Sequence, residues 1–185
     1  MSLHSLRAAP DAPPGPGLSD LIIRPAMPAD TEGVSRMLAR SYRALLAPDY
    51  PPDLLRETLP IISLARPSLL SCGTYFLAEI GERIVGAGGW TDASPHGAPG
   101  RYGVGHVRHV AVDPEVARCG VGTRILSRVF GSARSAGVTE LRVQSTLTGE
   151  PFYLELGFKT VARIEVRLPT GALFPAVQMR HLSET

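Results

Sequence analysis

The segment HVRHVAVDPEVARCGVGTRIL, residues 106–126, decides how the rest of the sequence is interpreted. It begins as an apolar, β-branched run, stops at a proline, and passes through Gly120 and Gly122 into a helical pattern. The N-terminus of a helix presents unpaired amide N–H groups, and glycines let an anion approach them closely. The segment therefore predicts a strand that leads into an anion-binding turn, with Arg118 and Arg124 on either side.

Two common phosphate-binding motifs do not fit this turn. A Walker A loop ends in Gly-Lys-Ser/Thr, whereas Gly122 is followed by Thr123 and Arg124. A dinucleotide fingerprint requires a third glycine, and Ile125 stands in its place. A Gly-x-Gly pair also opens helices for purely structural reasons. From this segment alone, a structural helix start and an anion site are equally open interpretations.

Composition limits the classes of protein. The 185 residues suit one domain, and 44% hydrophobic with 19% charged residues is typical of a folded chain. The net charge of +2 gives no general attraction to nucleic acid, and the apolar runs are too short to span a membrane. Cys72 and Cys119 lack metal-ligand spacing, so we expect no metal site and two free thiols. The N-terminal residues contain no continuous apolar segment of a secretory signal, and free thiols are typical of a reducing compartment, so we expect a cytoplasmic protein.

Apolar patterns predict the elements before the central segment. Residues 1–19 are rich in Pro, Gly and Ala and are expected to be a disordered leader or a cloning remnant; residues 20–185 are expected to form one domain. A strand over 21–26 precedes a helix that starts near Asp30 or Thr31. One or two further helical pieces are expected, with breaks near Pro60 and Pro67.

The later elements alternate between strands and helices. A hairpin turns at Gly81-Glu82, and the central strand and helix are followed by a strand, a short helix and two strands. The order is β, helices, β-hairpin, β, α, β, α, β, β. Hairpins combined with a βαβ crossover predict an α+β fold whose mixed sheet carries helices on both faces.

The motifs VAVDP, ARCGVGTRIL and PFYLELGF, in this order, resemble those of the Gcn5-related N-acetyltransferase (GNAT) family. The resemblance extends over roughly residues 21–182. It implies an acyl-CoA N-acyltransferase fold, with a mostly antiparallel mixed sheet of six to seven strands flanked by about four helices. It also implies transfer of an acetyl group from acetyl-CoA to a primary amine.

The resemblance further implies how acetyl-CoA is held. In the family, successive loop amides bind the coenzyme A pyrophosphate, and the backbone of the central strand pairs with the pantetheine arm. The pantetheine positions correspond to Val110 and Val112. Alternating apolar residues on a buried strand would explain both valines equally well. Ala117 departs from the Gln or Arg common in the family, although Arg118 follows it, as in bacterial members. The loop positions are Arg118, Cys119, Gly120, Val121, Gly122 and Thr123.

Acetyl transfer to an amine needs proton transfers at two atoms. An alkylamine has a pKa of about 10, so a base or a water chain must remove its proton. The departing thiolate then benefits from a general acid. Tyr153 stands four residues before Gly157-Phe158, where the family often has this acid. A core tyrosine without a catalytic role is the alternative.

The resemblance places a glutamate base six residues before the second pantetheine position, and counting back from Val112 gives His106. On an ideal strand, His106 shares a face with Arg108, Val110 and Val112. A histidine suits base catalysis at neutral pH, but a half-exposed strand histidine without a role explains it equally well. His109 is expected on the opposite face and is a weaker candidate. We expect His4 and His96 to be exposed to solvent.

The acceptor is not identified by the sequence. Residues 41–55 are the expected rim of its site, where Tyr42, Asp49 and Tyr50 would meet a cationic or aromatic substrate, although ordinary packing is favoured. Trp90 is expected near the same cleft, although a single tryptophan is more often a core residue than a binding residue. We expect an amine of a small molecule or protein as partner, without nucleic acid or membrane, and a homodimer by analogy. Two alternatives are a non-catalytic acyl-CoA-binding sensor and an unrelated nucleotide-binding α/β protein.

Overall fold

The computed structural model describes residues 18–95 and 99–183. Within these residues the strands are β1 (Leu21–Pro25), β2 (Tyr75–Ile80), β3 (Arg83–Thr91), β4 (Val104–Val112), β5 (Glu140–Ser145), β6 (Lys159–Arg167) and β7 (Leu173–Leu182). They form one sheet in the order β1-β2-β3-β4-β5-β7-β6. Only β4 and β5 are parallel among these paired strands, so the predicted mostly antiparallel mixed sheet of six to seven strands is confirmed.

Five α-helices in the described residues lie on both faces of this sheet. They are α1 (Thr31–Leu45), α2 (Pro52–Ile62), α3 (Pro67–Leu70), α4 (Val121–Ser135) and α5 (Glu150–Glu155). α1 and α3 bury Val34, Leu38 and Leu70 against one face of the sheet. On the other face, Leu126 and Val129 of α4 share a core with α5 and the last strands. The predicted α+β architecture is therefore confirmed.

Glycines in β3 let α4 lie directly on the sheet. A Cβ atom added at Gly86 would lie 2.8 Å from Cδ1 of Ile125, and one at Gly88 would lie 2.9 Å from Cγ2 of the same residue. Ile125 is fully buried. Because these distances are shorter than van der Waals contact, larger residues in β3 would push α4 away. Gly86 and Gly88 thus set the distance between α4 and the sheet, and with it the position of the turn that precedes the helix.

One of the two predicted helix breaks is absent from the structure. Pro60 does not break α2, which continues to Ile62, because the proline sits in the last turn of the helix. The break near Pro67 is confirmed: α2 and α3 are separated by residues 63–66, and Pro67 opens α3 at the first helical position, which favours proline. The Asp30 carboxylate does not cap α1 but accepts a hydrogen bond from the Met27 amide.

The predicted leader, residues 1–19, lies almost wholly outside the described residues, as do His4 and His96. Its last two residues, Leu18 and Ser19, form a 3-10 turn with Asp20. The carbonyl of Leu18 accepts a hydrogen bond of 3.3 Å from Arg124 in α4. The domain start at residue 20 stays a prediction.

Candidate active site

The centre of the sheet contains an opening between β4 and β5. These strands pair only through residues 104–106 and 140–142, although β4 continues to Val112 and β5 to Ser145. The edge of β4 beyond His106 that faces β5 therefore has no strand partner. Such an edge offers backbone donors and acceptors to an extended ligand. Both predicted pantetheine residues, Val110 and Val112, lie on this unpaired stretch.

A bulge in β4 changes which side chains share a face. His109 has a φ of +42°, and the pairing register with β3 shifts between Ala87 and Gly89. One extra residue in a strand reverses the alternation of side chains beyond it. Val110 and Val112 consequently pack on the α4 side, where Val110 lies against Gly88.

The prediction of one shared face is therefore wrong. His106 and Arg108 lie on the face of α1, and Val110 and Val112 lie on the face of α4. His109, expected opposite His106, turns to the same side, because its Nδ1 lies 3.4 Å from the hydroxyl of Tyr42 in α1. The glycine pair Gly88-Gly89 lies in β3 opposite the bulge, but the extra residue belongs to β4, which has no glycine at the bulge to mark it.

Two tyrosines contact His109, and a third interacts with both of them. The Tyr75 hydroxyl donates a hydrogen bond of 3.2 Å to the His109 carbonyl, and the Tyr42 hydroxyl lies next to the imidazole. Tyr153 approaches from the other face, where its buried ring packs edge-on against Phe158 at 5.1 Å. Burial raises the pKa of Tyr153 well above its usual range, and the Tyr42 hydroxyl raises it further. The Tyr153 phenol therefore stays protonated at neutral pH.

Burial also keeps the histidines neutral. It lowers the pKa of His109 to about 4, with further contributions from Arg108 and Arg66. Burial, followed by the charges of Arg142 and Arg108, lowers the pKa of His106 below its usual range. At pH 7 both imidazoles are uncharged, and His109 is too weak a base to hold a proton there.

His106 opens into a cavity on the α1 face of the sheet. The cavity has a volume of about 290 Å³ and lies where β4, β5 and β7 are neighbours. His106 pairs in register with Arg142, and Arg142 with Arg180, so the three side chains form a row across the strands. The polar lining consists mainly of His106, Glu140, Arg142, Gln144, Gln178 and Arg180.

The glycine turn at the end of β4 exposes backbone amides. Gly120 adopts a left-handed conformation with φ +83°, and α4 begins at Val121. The first helical hydrogen bond runs from the Arg124 amide to the Gly120 carbonyl at 3.0 Å. The amides of Val121, Gly122 and Thr123 precede it and have no intrahelical acceptor. Cys119 differs, because its amide donates to the Val116 carbonyl at 3.2 Å.

Two further residues shape this turn. Arg118 has a φ of +62°, which is rare for a residue other than glycine and tends to occur at functional sites. No atom lies within 4 Å of a Cβ placed at Gly120, so the space beside the turn is open. In contrast, a Cβ at Gly122 would lie 3.3 Å from the ring of Phe152. The turn is therefore open on one side and closed by α5 on the other.

A buried carboxylate anchors the same turn. Asp113 is 1% exposed and accepts a hydrogen bond of 3.1 Å from the Glu115 amide. It also pairs with Arg40 of α1 and, at 3.0 Å, with Arg83 of β3. Burial opposes ionisation, yet the amide and the two guanidinium groups together lower the pKa of Asp113. Asp113 thereby connects α1, β3 and the start of the turn.

Most of the predicted acceptor rim is structural. The Tyr50 hydroxyl donates to the Pro175 carbonyl at 2.8 Å, and its ring stacks on Phe174. Asp49 accepts a hydrogen bond of 2.6 Å from the Thr148 hydroxyl. Trp90 is part of the core beneath α4. The packing interpretation is confirmed for Tyr50 and Trp90, which are buried, whereas Asp49 is exposed. Tyr42 turns to the centre of the sheet.

Residues 71–160 match the family model of the acetyltransferase (GNAT) domain. This part of the chain, just under half of its length, is therefore similar to GNAT acetyltransferase domains. The match includes the hairpin, β4, the glycine turn, α4 and the helix of Tyr153. The GNAT resemblance inferred from the sequence is therefore confirmed. A search of curated proteins found no match.

Solved structures share the GNAT fold over almost the whole chain. A Gcn5-related N-acetyltransferase from Rhodopseudomonas palustris is 19% identical, with a TM-score of 0.69 over 88% of this chain and 95% of that chain. The PaiA N-acetyltransferase from Thermoplasma acidophilum, solved with coenzyme A, is 15% identical, with a TM-score of 0.66 over 88% and 99%. The ribosomal-protein-S18-alanine N-acetyltransferase from Escherichia coli is 14% identical, with a TM-score of 0.59 over 89% and 96%. Among the described residues, no helix has the length and apolarity to cross a membrane.

Proposed function

We propose that this protein is an N-acetyltransferase that transfers the acetyl group of acetyl-CoA to a primary amine of a small molecule or protein by direct attack. The observation that carries the proposal is the opening between β4 and β5. Unpaired amides of the glycine turn lie at one end of it, and the tyrosine cluster around His109 lies at the other. This arrangement suits an extended thioester substrate with a phosphorylated end.

The glycine turn supports a pyrophosphate site. The amides of Val121, Gly122 and Thr123 have no intrahelical acceptor, and the helix dipole adds positive potential there. The open space beside Gly120 gives a diphosphate room to approach. Arg118 and Cys119 complete the proposed set, although the Cys119 amide must leave the Val116 carbonyl to take part. The backbone of Val110 and Val112 is proposed to pair with the pantetheine arm.

Tyr153 is proposed as the general acid. Acetyl-CoA, when bound, supplies the thioester whose thiolate must be protonated as it leaves. The raised pKa of Tyr153 favours this role, because the phenol holds its proton until a strong base appears beside it. Its position on the α4 side of the opening supports donation to a sulfur atom within the opening.

His106 is proposed as the base, either directly or through a water chain. It is neutral at pH 7 and lines the cavity on the face from which an acceptor would approach. His109 is buried and a weak base, so its proposed role is to position Tyr42 rather than to accept a proton. We also propose a cytoplasmic location, supported by the exposed free thiols of Cys72 and Cys119.

The first test is calorimetric titration with acetyl-CoA, with ATP as the control ligand. We expect micromolar binding, about −8 kcal/mol, for acetyl-CoA and none for ATP. The absence of acetyl-CoA binding by folded protein would refute the proposal. A homodimer through the C-terminal strands is a separate proposal, supported by the exposed edge strand β6, and light scattering measures it.

Tyr153→Phe tests the catalytic role. We expect turnover to fall by about 10²-fold to 10⁴-fold, because a general acid contributes that much, while acetyl-CoA affinity stays unchanged. Tyr102→Phe is the matched control, since Tyr102 is fully exposed. Steady-state kinetics with an amine panel and calorimetry give the two readouts. A wild-type protein that binds acetyl-CoA but acetylates no amine would instead be the non-catalytic sensor.

A further inference from the structure

Arg108 is a half-buried cation without a carboxylate partner among the described residues. The hydrogen bond found for its guanidinium runs from Nη1 to the Thr91 hydroxyl at 3.3 Å. Burial, and then repulsion by Arg66, lower the pKa of Arg108 below its usual range. Buried charges in proteins are normally paired, so this guanidinium is held ready for an anion from outside the described chain.

The anion would bind beside the proposed reaction centre. Arg108 lies on the α1 face between His106 and the bulged His109, and its charge acts on both imidazoles. It also acts on the buried hydroxyl of Tyr75, which contacts the His109 carbonyl. An anion on Arg108 therefore lies within the same group of side chains that would receive the acceptor amine.

This anion is not the coenzyme A pyrophosphate. Val112, at the start of the glycine turn, lies four residues further along β4, or about 13 Å away at the usual rise of a strand. The side chain of Val112 also points to the α4 face, whereas Arg108 points to the α1 face. The exposed amides of the turn and the Arg108 guanidinium consequently serve two different ligand groups.

The neighbouring cavity has an excess of positive charge. Arg142 and Arg180 line it together with Glu140, and the Glu140 carboxylate already pairs with Arg142 at 2.8 Å. Arg180 forms no ion pair within the described residues. With Arg108 next to this row, the face on which an acceptor would bind is cationic and suits an anionic molecule.

We infer that Arg108 binds a carboxylate of the acceptor, so that the acceptor is an amino acid or another amine that carries a carboxylate. The planar fork of a guanidinium matches the two oxygens of a carboxylate, and the hydroxyl of Thr91 holds the fork in place. This inference rests on the proposed function, because it assigns the second substrate of the same site. It makes Arg108 a specificity residue.

The test compares α-amino acids and 4-aminobutyrate with their matched carboxamides as acceptors. We expect wild-type kcat/KM to be at least 10-fold higher for the carboxylates. Arg108→Gln should lower kcat/KM for the carboxylates by about 10-fold to 100-fold, because the loss of a charge-assisted hydrogen bond has an effect of this size. The kcat/KM values for the carboxamides should change little. Arg101→Gln, an exposed arginine outside the β4 strand, is the matched control. Equal wild-type rates for carboxylates and carboxamides would overturn the inference without any variant.

Two outcomes separate this inference from the proposed function. If Arg108→Gln lowers kcat for both acceptor classes equally, Arg108 acts on the thioester carbonyl and the inference is wrong. If no acceptor is acetylated, calorimetry on the protein loaded with coenzyme A still tests the carboxylate site. Tighter binding of amino acids than of their carboxamides, with the difference lost in Arg108→Gln, supports the site. Equal binding of both classes contradicts it.

Discussion

At the scale of single residues, the bulge at His109 determines which side chains meet at the centre of the sheet. Its φ of +42° turns the imidazole toward Tyr42 and leaves Arg108 on the same face. Histidine tolerates this backbone region better than β-branched residues do. The same burial that places His109 beside the tyrosines also makes it sensitive to acid.

His109 is expected to make the fold acid-labile. Its pKa is about 4 in the folded protein against about 6.5 when unfolded, so the unfolded chain binds the extra proton between these values. The stabilisation is complete above about pH 6.5 and is lost as pH falls toward 4, by at most about 3 kcal/mol. His109→Asn, which also tolerates positive φ, should flatten this dependence. Urea unfolding at pH 7.5 and 4.5 measures it, and parallel losses in both proteins would contradict the assignment.

At the scale of elements, α4 and α5 are held in contact by a glycine. Gly122 in the first turn of α4 faces the ring of Phe152, which precedes Tyr153 in α5. The amides of the turn and the proposed acid are therefore positioned by one contact. A change at Gly122 is expected to affect both.

Gly122→Ala should weaken acetyl-CoA binding by about 10-fold and destabilise the fold by roughly 1 kcal/mol, because a Cβ atom would lie 3.3 Å from two ring atoms of Phe152. Gly131→Ala is the matched control in the same helix, where no atom lies within 4 Å of the added Cβ. That control should gain about 0.5–1 kcal/mol from helix propensity. Calorimetry and denaturant unfolding give the two values. Unchanged affinity in Gly122→Ala would argue against the pyrophosphate site.

At the scale of the whole molecule, Asp113 joins the layers on either side of the sheet. Its partners are Arg40 in α1 and Arg83 in β3, and it begins the turn that leads to α4. Asp113→Ala should lower the free energy of unfolding by about 2–3 kcal/mol, since a buried ionic network and a capping hydrogen bond are lost. Glu32→Ala removes an exposed pair with Arg36 and should cost under about 0.5 kcal/mol. Equal losses in urea unfolding would show that Asp113 is not the anchor.

The sequence by itself determined the order of elements, the hairpin at Gly81-Glu82, the helix that follows the glycine turn, and the family resemblance. These features depend on residues near one another in the chain, where apolar periodicity, prolines and glycines act locally. One of its errors was also local: Pro60 looked like a helix breaker because the sequence did not reveal that it falls in a last turn.

Only the tertiary structure decided which side chains meet. The bulge reversed the alternation of β4, so His106 and Val110, predicted on one face, lie on opposite faces. Tyr153 and Tyr42 come from helices on different faces, yet the Tyr42 hydroxyl acts on the Tyr153 phenol across the sheet. The sequence also does not show that Arg108 lacks a carboxylate partner among residues 18–95 and 99–183. Pairing and separation of distant strands are properties of the assembled sheet, and no local pattern of residues specifies them.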